Sequence, residues 1–380
     1  MSEVVVLNEI VTACGRRFGH ARLNAPAALN ALSLEMIELL DPQLERWLAD
    51  PEVVGVVLDG EGERAFCAGG DVRALQAAIV ASHAAGGGEL PPIVPQFFER
   101  EYRLDHRIHT SPKPILCWGQ GVVMGGGVGL MSGASHRVVT PSTRLAMPEI
   151  TIGLYPDVGG SWFLNRMPGR IGLFLALTGV QLNAADVRFA GLADFVLASE
   201  ARVPVLEAIA QARWSAVAAD NHRALSGLLG GLALDEQAPA AELAAANLRR
   251  HFDRINAVIG HDGLLAAVDR LAALTADEDP WLAGAARTFS AGAPSSALLS
   301  ARMLEAARHC SLAEVFRLEY QASVNGVMAA DFAEGVRALL VDKDRQPRWQ
   351  DDSVAVVDPA RIEALLAPRF SGSHPLADLG

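Results

Sequence analysis

Apolar residues recur along this chain with two different periods, and the change from one to the other marks its elements. Val4 to Leu7 and Arg17 to Leu23 predict paired strands, with Gly15 at the turn between them. Ile37, Leu40, Leu44 and Trp47 then fall at helical spacing. They predict an amphipathic helix over Ser33 to Ala49, with Ser33 as N-cap and Pro42 bending or interrupting it. The unbroken apolar run Val53 to Leu58 predicts a buried strand, ended by a turn at Asp59-Gly60. Strand, strand, helix, strand is the opening of a ββα pattern.

The pattern continues through ERAFCAGGDVRAL, which predicts a strand, a glycine pair and Asp71 at a helix N-cap. His83 to Pro95, with three glycines and three prolines, predicts an exposed loop, and Gln96 to Thr110 a helix. Gly86, Gly87 and Gly88 receive no phosphate-binding role, because no strand feeds them. Ile115 to Trp118 predicts a strand, Gly169 to Thr178 and Leu182 to Ala190 predict helices, the second capped by Asn183, and Ala193 to Leu197 predicts the last core strand. From Ala201 to Leu340 the chain is rich in Ala, Leu, Arg and Glu, and it predicts successive helices separated near Gly230, Gly260, Pro280 and Pro294. The expected organisation is an α/β catalytic core over residues 1–200. An α-helical region over 201–380 is expected to pack on that core and cover its site.

Composition narrows the partners. The 380 residues are 51% hydrophobic, enough for a sizeable core, and carry a formal net charge of -12. Such a balance offers no basic field for nucleic acid or anionic membranes. Thirty of the 32 cationic side chains are arginine, so contacts to anionic groups fall to guanidinium; the two lysines are Lys113 and Lys343. Cys14, Cys67, Cys117 and Cys310 lie far apart without a CxxC pair, which suits a reducing compartment and suggests neither a disulfide framework nor a metal cluster. The sequence MSEVVVLNEI has an acid where a signal peptide has a basic region, and no run approaches the roughly 20 apolar residues of a membrane span. A cytoplasmic protein without metal or redox cofactor is expected.

The candidate chemistry gathers in Pro114 to Gly160. There an apolar strand runs into Gly125, Gly126 and Gly127, and the carboxylates Glu149 and Asp157 follow on turns punctuated by glycine and proline. A glycine run opening a helix lets a ligand approach the backbone and turns free N–H groups toward negative charge. GxSxG, HExxH and Walker motifs are absent, and VVMGGGVGL lacks the full GxGxxG spacing. The ten histidines show no metal-ligand spacing, and Cys67 is read as a small buried hydrophobe rather than a nucleophile.

GQGVVMGGGVGL followed by MPEITIGLYPDVGG resembles the crotonase (enoyl-CoA hydratase/isomerase) superfamily, and within it the 3-hydroxyisobutyryl-CoA hydrolase branch. The resemblance covers Leu23 to Ala198 and returns over Pro294 to Trp349, where FAEGVRALLVDKDRQPRW is the most telling stretch. It implies a crotonase-like ββα spiral core, with Gly70 of CAGGD and Gly126 of MGGGV donating two N–H groups to a thioester oxygen. The second hydratase glutamate matches Glu149, but the first falls on Gly129, two residues after the glycine run. This departure argues for different chemistry at the same thioester.

The hydrolase branch carries an acid eight residues after that glutamate, and here it is Asp157. The resemblance implies Glu149 as nucleophile or general base, with Asp157 orienting substrate or water and raising the pKa of its neighbour. Glu101, 25 residues before Gly126, matches a substrate-contacting glutamate of the branch. Leu23, Asn24, Ala28, Leu29, Val72 and Arg73 match the coenzyme A contacts, the coenzyme entering as part of the substrate. Ala25 stands where relatives commonly have arginine, leaving Arg22 and Arg73 as candidate cations.

The expected activity is hydrolysis of a short acyl-CoA thioester, most simply 3-hydroxyisobutyryl-CoA of valine breakdown. An enoyl-CoA hydratase or isomerase working with Glu149 alone, and a non-catalytic acyl-CoA-binding protein, remain as alternatives. A small homo-oligomer is expected.

Overall fold

The computed structural model describes residues 3–86, 89–234, 243–369 and 372–380, so Gly87 and Gly88 lie outside the described residues. The chain forms two compact units, and neither ends at residue 200. One comprises Met1–Gly70, Arg103–Leu145 and Gln181–Arg249, and the other Asp71–Tyr102, Ala146–Val180 and Arg250–Gly380.

The first unit is built on a six-stranded sheet. Its strands are β1 (Val5–Val11), β2 (Arg17–Leu23), β3 (Val53–Gly60), β5 (Ile115–Gly119), β7 (His136–Val139) and β9 (Phe195–Val196), hydrogen-bonded in that order. β1 and β2 form an antiparallel hairpin, with Val5 opposite Leu23 and Val11 opposite Arg17, and every later pairing is parallel. β4 (Ala65–Cys67), β6 (Val122–Met124) and β8 (Arg144–Ala146) form a second, three-stranded sheet. Phe18, Val57, Leu116, Trp118 and Val138 of the large sheet share a buried cluster with Val205, Ile209, Trp214, Leu225 and Leu229. The first part of the predicted helical region therefore closes the core of the strands. Each such side chain contributes about 1.5–3 kcal/mol of burial.

The helix α1 (Leu34–Ala49) starts where the Ser33 side chain accepts the Met36 N–H, and it continues through Pro42. Asp59 and Gly60 extend β3 instead of turning, with Asp59 opposite Arg22 and Gly60 opposite Leu23. Strand pairing and the arginine partner override the local turn preference of Asp-Gly. α2 (Val72–Ala84) is capped by Asp71 as predicted. α3 (Ile93–His109) starts earlier than Gln96, inside the expected loop. Pro95 falls in its first turn, where a missing N–H costs nothing.

In the second unit, residues 71–102 and 146–180 group with the C-terminal helices. The helix Ala330–Val336 packs on both α2 and the short turn Glu149–Ile152. Gly335 permits that approach, since a Cβ there would lie 2.6 Å from the Ile152 Cα. The helix Pro294–Ala307 packs on Ile171–Thr178. Gly260, Pro280 and Pro294 sit at helix boundaries as read from the sequence. No helix among the described residues is long and apolar enough to cross a membrane.

Candidate active site

In the first unit the two glycine motifs lie side by side, because β4 and β6, which lead into them, pair in parallel. Gly125, at φ 46, turns the chain out of β6 into α4 (Gly126–Ser132). A Cβ on Gly127 would meet the Cys67 carbonyl oxygen at 2.4 Å, so only glycine allows the helix to start this close to CAGG. Among the described residues, neither the Gly70 nor the Gly126 N–H is used in a hydrogen bond. Two free donors on adjoining loops are what an oxyanion hole requires. Gly129 is buried within α4, at the position of the missing hydratase acid.

The candidate coenzyme segment of this unit is fastened to the same motif. Leu23 ends β2, Asn24 follows it, and Ala28 closes a single turn of helix, Pro26–Ala28. The Leu29 carbonyl accepts the Ala68 N–H, the Leu32 N–H donates to Gly69, and the Asn30 side chain donates to Glu61 and Ala65 carbonyls. Leu29 and Asn30 are left-handed, at φ 54 and 55, so this loop is shaped at a local cost. Arg22, a candidate cation for the coenzyme, is engaged by a carboxylate. Its guanidinium makes two 2.7 Å bonds to Asp59, whose side chain is wholly buried and requires the counter-charge.

The acidic residues belong to the second unit. Glu149 opens the turn Glu149–Ile152, Asp157 precedes a tight turn into Gly160–Phe163, and Glu101 lies on α3. Glu101 is 2% exposed and Glu149 and Asp157 are each 5% exposed, which excludes a solvated helix or turn surface for them. Glu101 Oε1 and Glu149 Oε2 have no hydrogen-bond partner among the described residues. Buried acceptors of this kind point to a bound hydroxyl or water. Burial, and then the charge of Asp157, push the carboxyls of both Glu101 and Glu149 well above the ordinary range. Burial raises Asp157 less, to about 6, because Tyr102 donates to its Oδ2 at 2.6 Å.

Four neighbours of Asp157 escaped the sequence reading. Tyr102 Oη also meets Ser323 Oγ at 2.6 Å, and Ser323 Oγ meets Tyr155 Oη at 2.9 Å. Tyr155 donates to the Glu319 carbonyl at 2.8 Å. The Glu319 carboxylate accepts the Gly159 and Ser161 N–H groups at 2.7 and 2.8 Å, while burial and Asp157 push it up to about 8. Its two bonds hold a turn in which Val158 takes φ 53, a strain of about 1–3 kcal/mol for a β-branched residue. A signal was present: Glu319 and Ser323 fall one helical turn apart among the apolar core positions of Leu312–Gly326, and Tyr102 and Tyr155 are two of only three tyrosines.

Val72 and Arg73 begin α2 in this same unit, with Arg73 exposed. The predicted site residues thus fall into two groups. One is a backbone-donor group with the loop 23–29 in the first unit, and the other is a buried carboxyl group with the start of α2 in the second.

Comparison with known proteins identifies the family. The family model described as enoyl-CoA hydratase/isomerase matches residues 18–366. A mitochondrial 3-hydroxyisobutyryl-CoA hydrolase from Gallus gallus is 37% identical over 92% of this chain and 86% of its own length. The enzyme of that name from Danio rerio is 38% identical over 91% of this chain and 86% of its own length. Among solved structures, an enoyl-CoA hydratase from Rhodobacter sphaeroides 2.4.1 has 37% identity and a TM-score of 0.77, covering 96% of this chain and 98% of that one. A carnitinyl-CoA dehydratase from Mycobacterium thermoresistibile has 32% identity and a TM-score of 0.80, with 97% of each chain covered. Matched along nearly its whole sequence, this chain belongs to the enoyl-CoA hydratase/isomerase family and has the crotonase fold.

Proposed function

We propose that this chain is an acyl-CoA thioester hydrolase acting on a short, branched 3-hydroxyacyl-CoA, with 3-hydroxyisobutyryl-CoA as its first candidate substrate. The observation that carries the reading is the buried trio Glu101, Glu149 and Asp157 in a chain whose other hydratase acid is replaced by Gly129. Hydration needs one group to activate water and another to protonate carbon. Thioester hydrolysis needs only one carboxylate, to attack the carbonyl or to deprotonate water, and donors for the oxygen that becomes negative. The names of the relatives from Gallus gallus and Danio rerio support the same substrate.

In this reading the Gly70 and Gly126 N–H groups take the thioester oxygen. Glu149 either adds to the carbonyl carbon, expelling the coenzyme A thiolate and leaving an anhydride that water opens, or draws a proton from water that adds directly. Both routes consume one water and release 3-hydroxyisobutyrate and coenzyme A. Asp157 orients the substrate or the water, and Glu101 accepts the substrate hydroxyl. Leu23, Asn24, Ala28, Leu29, Val72 and Arg73 hold the coenzyme. A cytoplasmic location and a small homo-oligomer complete the proposal; the free thiols of all four cysteines suit a reducing compartment.

One observation favours a second reading. The solved structures with TM-scores of 0.77 and 0.80 bear the names of a hydratase and a dehydratase, so enoyl-CoA hydration by Glu149 alone is the rival. Purified protein given 3-hydroxyisobutyryl-CoA or crotonyl-CoA separates the two. The hydrolase releases free thiol from the first, and Glu149→Gln lowers that rate at least about 100-fold. Loss of crotonyl-CoA absorbance without thiol release would establish the hydratase.

A further inference from the structure

We propose that Tyr102 and Ser323 are positioning residues for Asp157: their linked hydroxyls fix its carboxyl group and make it the first member of the buried acidic cluster to ionise, ahead of Glu149. The inference rests on the hydrolase reading for its kinetic consequence, but its geometric basis is independent of it.

Glu101, Glu149, Asp157 and Glu319 are four of the carboxyl groups buried in the second unit. Among the described residues no arginine or lysine forms an ion pair with any of the four, so burial and mutual repulsion oppose ionising them together. Hydrogen-bond donors decide which one ionises first. The groups around Asp157 come from three elements: Glu101 and Tyr102 from α3, Glu149 and Tyr155 from the segment before it, and Glu319 and Ser323 from the helix Leu312–Gly326.

The proton count in the hydroxyl chain is restrictive. Tyr155 gives its proton to the Glu319 carbonyl, so the 2.9 Å contact between Tyr155 and Ser323 is satisfied only by a Ser323 proton. With Asp157 ionised, Tyr102 donates to Oδ2 and the Ser323 proton reinforces Tyr102 at 2.6 Å or turns to Tyr155. With Asp157 protonated, the order reverses: Asp157 donates to Tyr102, Tyr102 to Ser323, and Ser323 to Tyr155. The chain ends at a backbone carbonyl and therefore carries no proton away. Its effect is to hold the Asp157 carboxyl in one place in both protonation states, while the short donor from Tyr102 favours the ionised one.

The distinction between positioning and mere packing is readable in pH profiles. The variant Tyr102→Phe keeps the ring and removes only the donor, and Ser323→Ala removes the second link. Thiol release from 3-hydroxyisobutyryl-CoA by Tyr102→Phe is expected to show kcat about 10-fold lower and KM within about twofold. The lower step of the acidic limb of its kcat profile, the ionisation of Asp157 that precedes that of Glu149, moves up by about one pH unit, because Asp157 then needs a higher pH to lose its proton. Ser323→Ala shifts the limb in the same direction by less, and it carries the test should Tyr102→Phe fail to fold.

An unmoved acidic limb in both variants would overturn the proposal, even with reduced kcat, because that is the signature of a packing role. Titration of carbon-13-labelled aspartate, with the Asp157 signal identified by Asp157→Asn, reads the same claim without activity. If the unsubstituted protein releases no thiol, the hydrolase reading fails. The positioning claim then stands or falls on whether Tyr102→Phe raises the Asp157 titration midpoint.

Discussion

Gly127→Ala tests whether the two glycine loops form the oxyanion-stabilising part of the site. The added Cβ would lie 2.4 Å from the Cys67 carbonyl oxygen and 2.8 Å from the Cys67 Cβ. Both atoms belong to β4, which is hydrogen-bonded in parallel with β6, so neither can swing aside as the end of a flexible side chain would. Relieving the overlap must part the start of α4 from CAGG by about 1 Å, a displacement that costs on the order of 100-fold when it misplaces a reacting group. Loss of one oxyanion donor costs about 3–4 kcal/mol, so a fall in kcat of about 100- to 1,000-fold is expected. The fold should lose about 1–3 kcal/mol from overpacking, leaving a folded protein in which KM changes much less than kcat.

The assay is steady-state thiol release alongside urea denaturation. The control is Gly227→Ala in the helix Ala218–Gly230, where a Cβ has no neighbour within 4 Å. It should leave kcat unaltered and add about 1 kcal/mol of stability through helix propensity. A folded Gly127→Ala protein with kcat within twofold of the original would refute the reasoning, since the Gly70 and Gly126 donors would then not depend on this approach.

Other consequences follow from the buried charges. Glu149→Gln should abolish most turnover and flatten the pH dependence of stability. The folded-state pKa of Glu149 is raised, so the folded chain keeps a proton that the unfolded chain releases, and stability falls as pH climbs above the ordinary carboxylate range. Denaturation at about pH 5 and about pH 8 should therefore show a smaller decline in the variant than in the parent, and an equal decline would refute the assignment. Arg22→Ala should cost about 3 kcal/mol by stranding buried Asp59, while KM for acyl-CoA stays within about twofold. A large rise in KM without loss of stability would return Arg22 to the coenzyme site.

Much of the fold was legible because it is governed by neighbours in sequence. The Ser33, Asp71 and Asn183 caps form with the predicted side-chain bonds, and Gly260, Pro280 and Pro294 stand at helix ends. Each depends on whether one local N–H or φ angle is satisfied. The reading failed where distant partners outvote local preference. Asp59-Gly60 has turn chemistry but pairs with Arg22 and Leu23 of β2, and Ile93 to Pro95, expected as the end of a loop, form the first turn of α3, which tolerates the proline.

The candidate site divides in the same way. The resemblance to a known family singled out Gly70, Gly126, Glu149 and Asp157, and it marked Gly129 as standing where a hydratase acid would be. Which carboxyl ionises most readily was beyond any spacing rule. That property sums burial and hydrogen bonds over Tyr102, Asp157 and Ser323, the first and last of which lie 221 residues apart. Sequence determined the elements and the inventory of reactive groups, since these arise from chain-local sterics and residue type. Tertiary structure alone decided which groups lose water, which oxygen of Asp157 receives a donor, and which arginine is spent on a buried partner, because electrostatic energies depend on distances that only the folded chain sets.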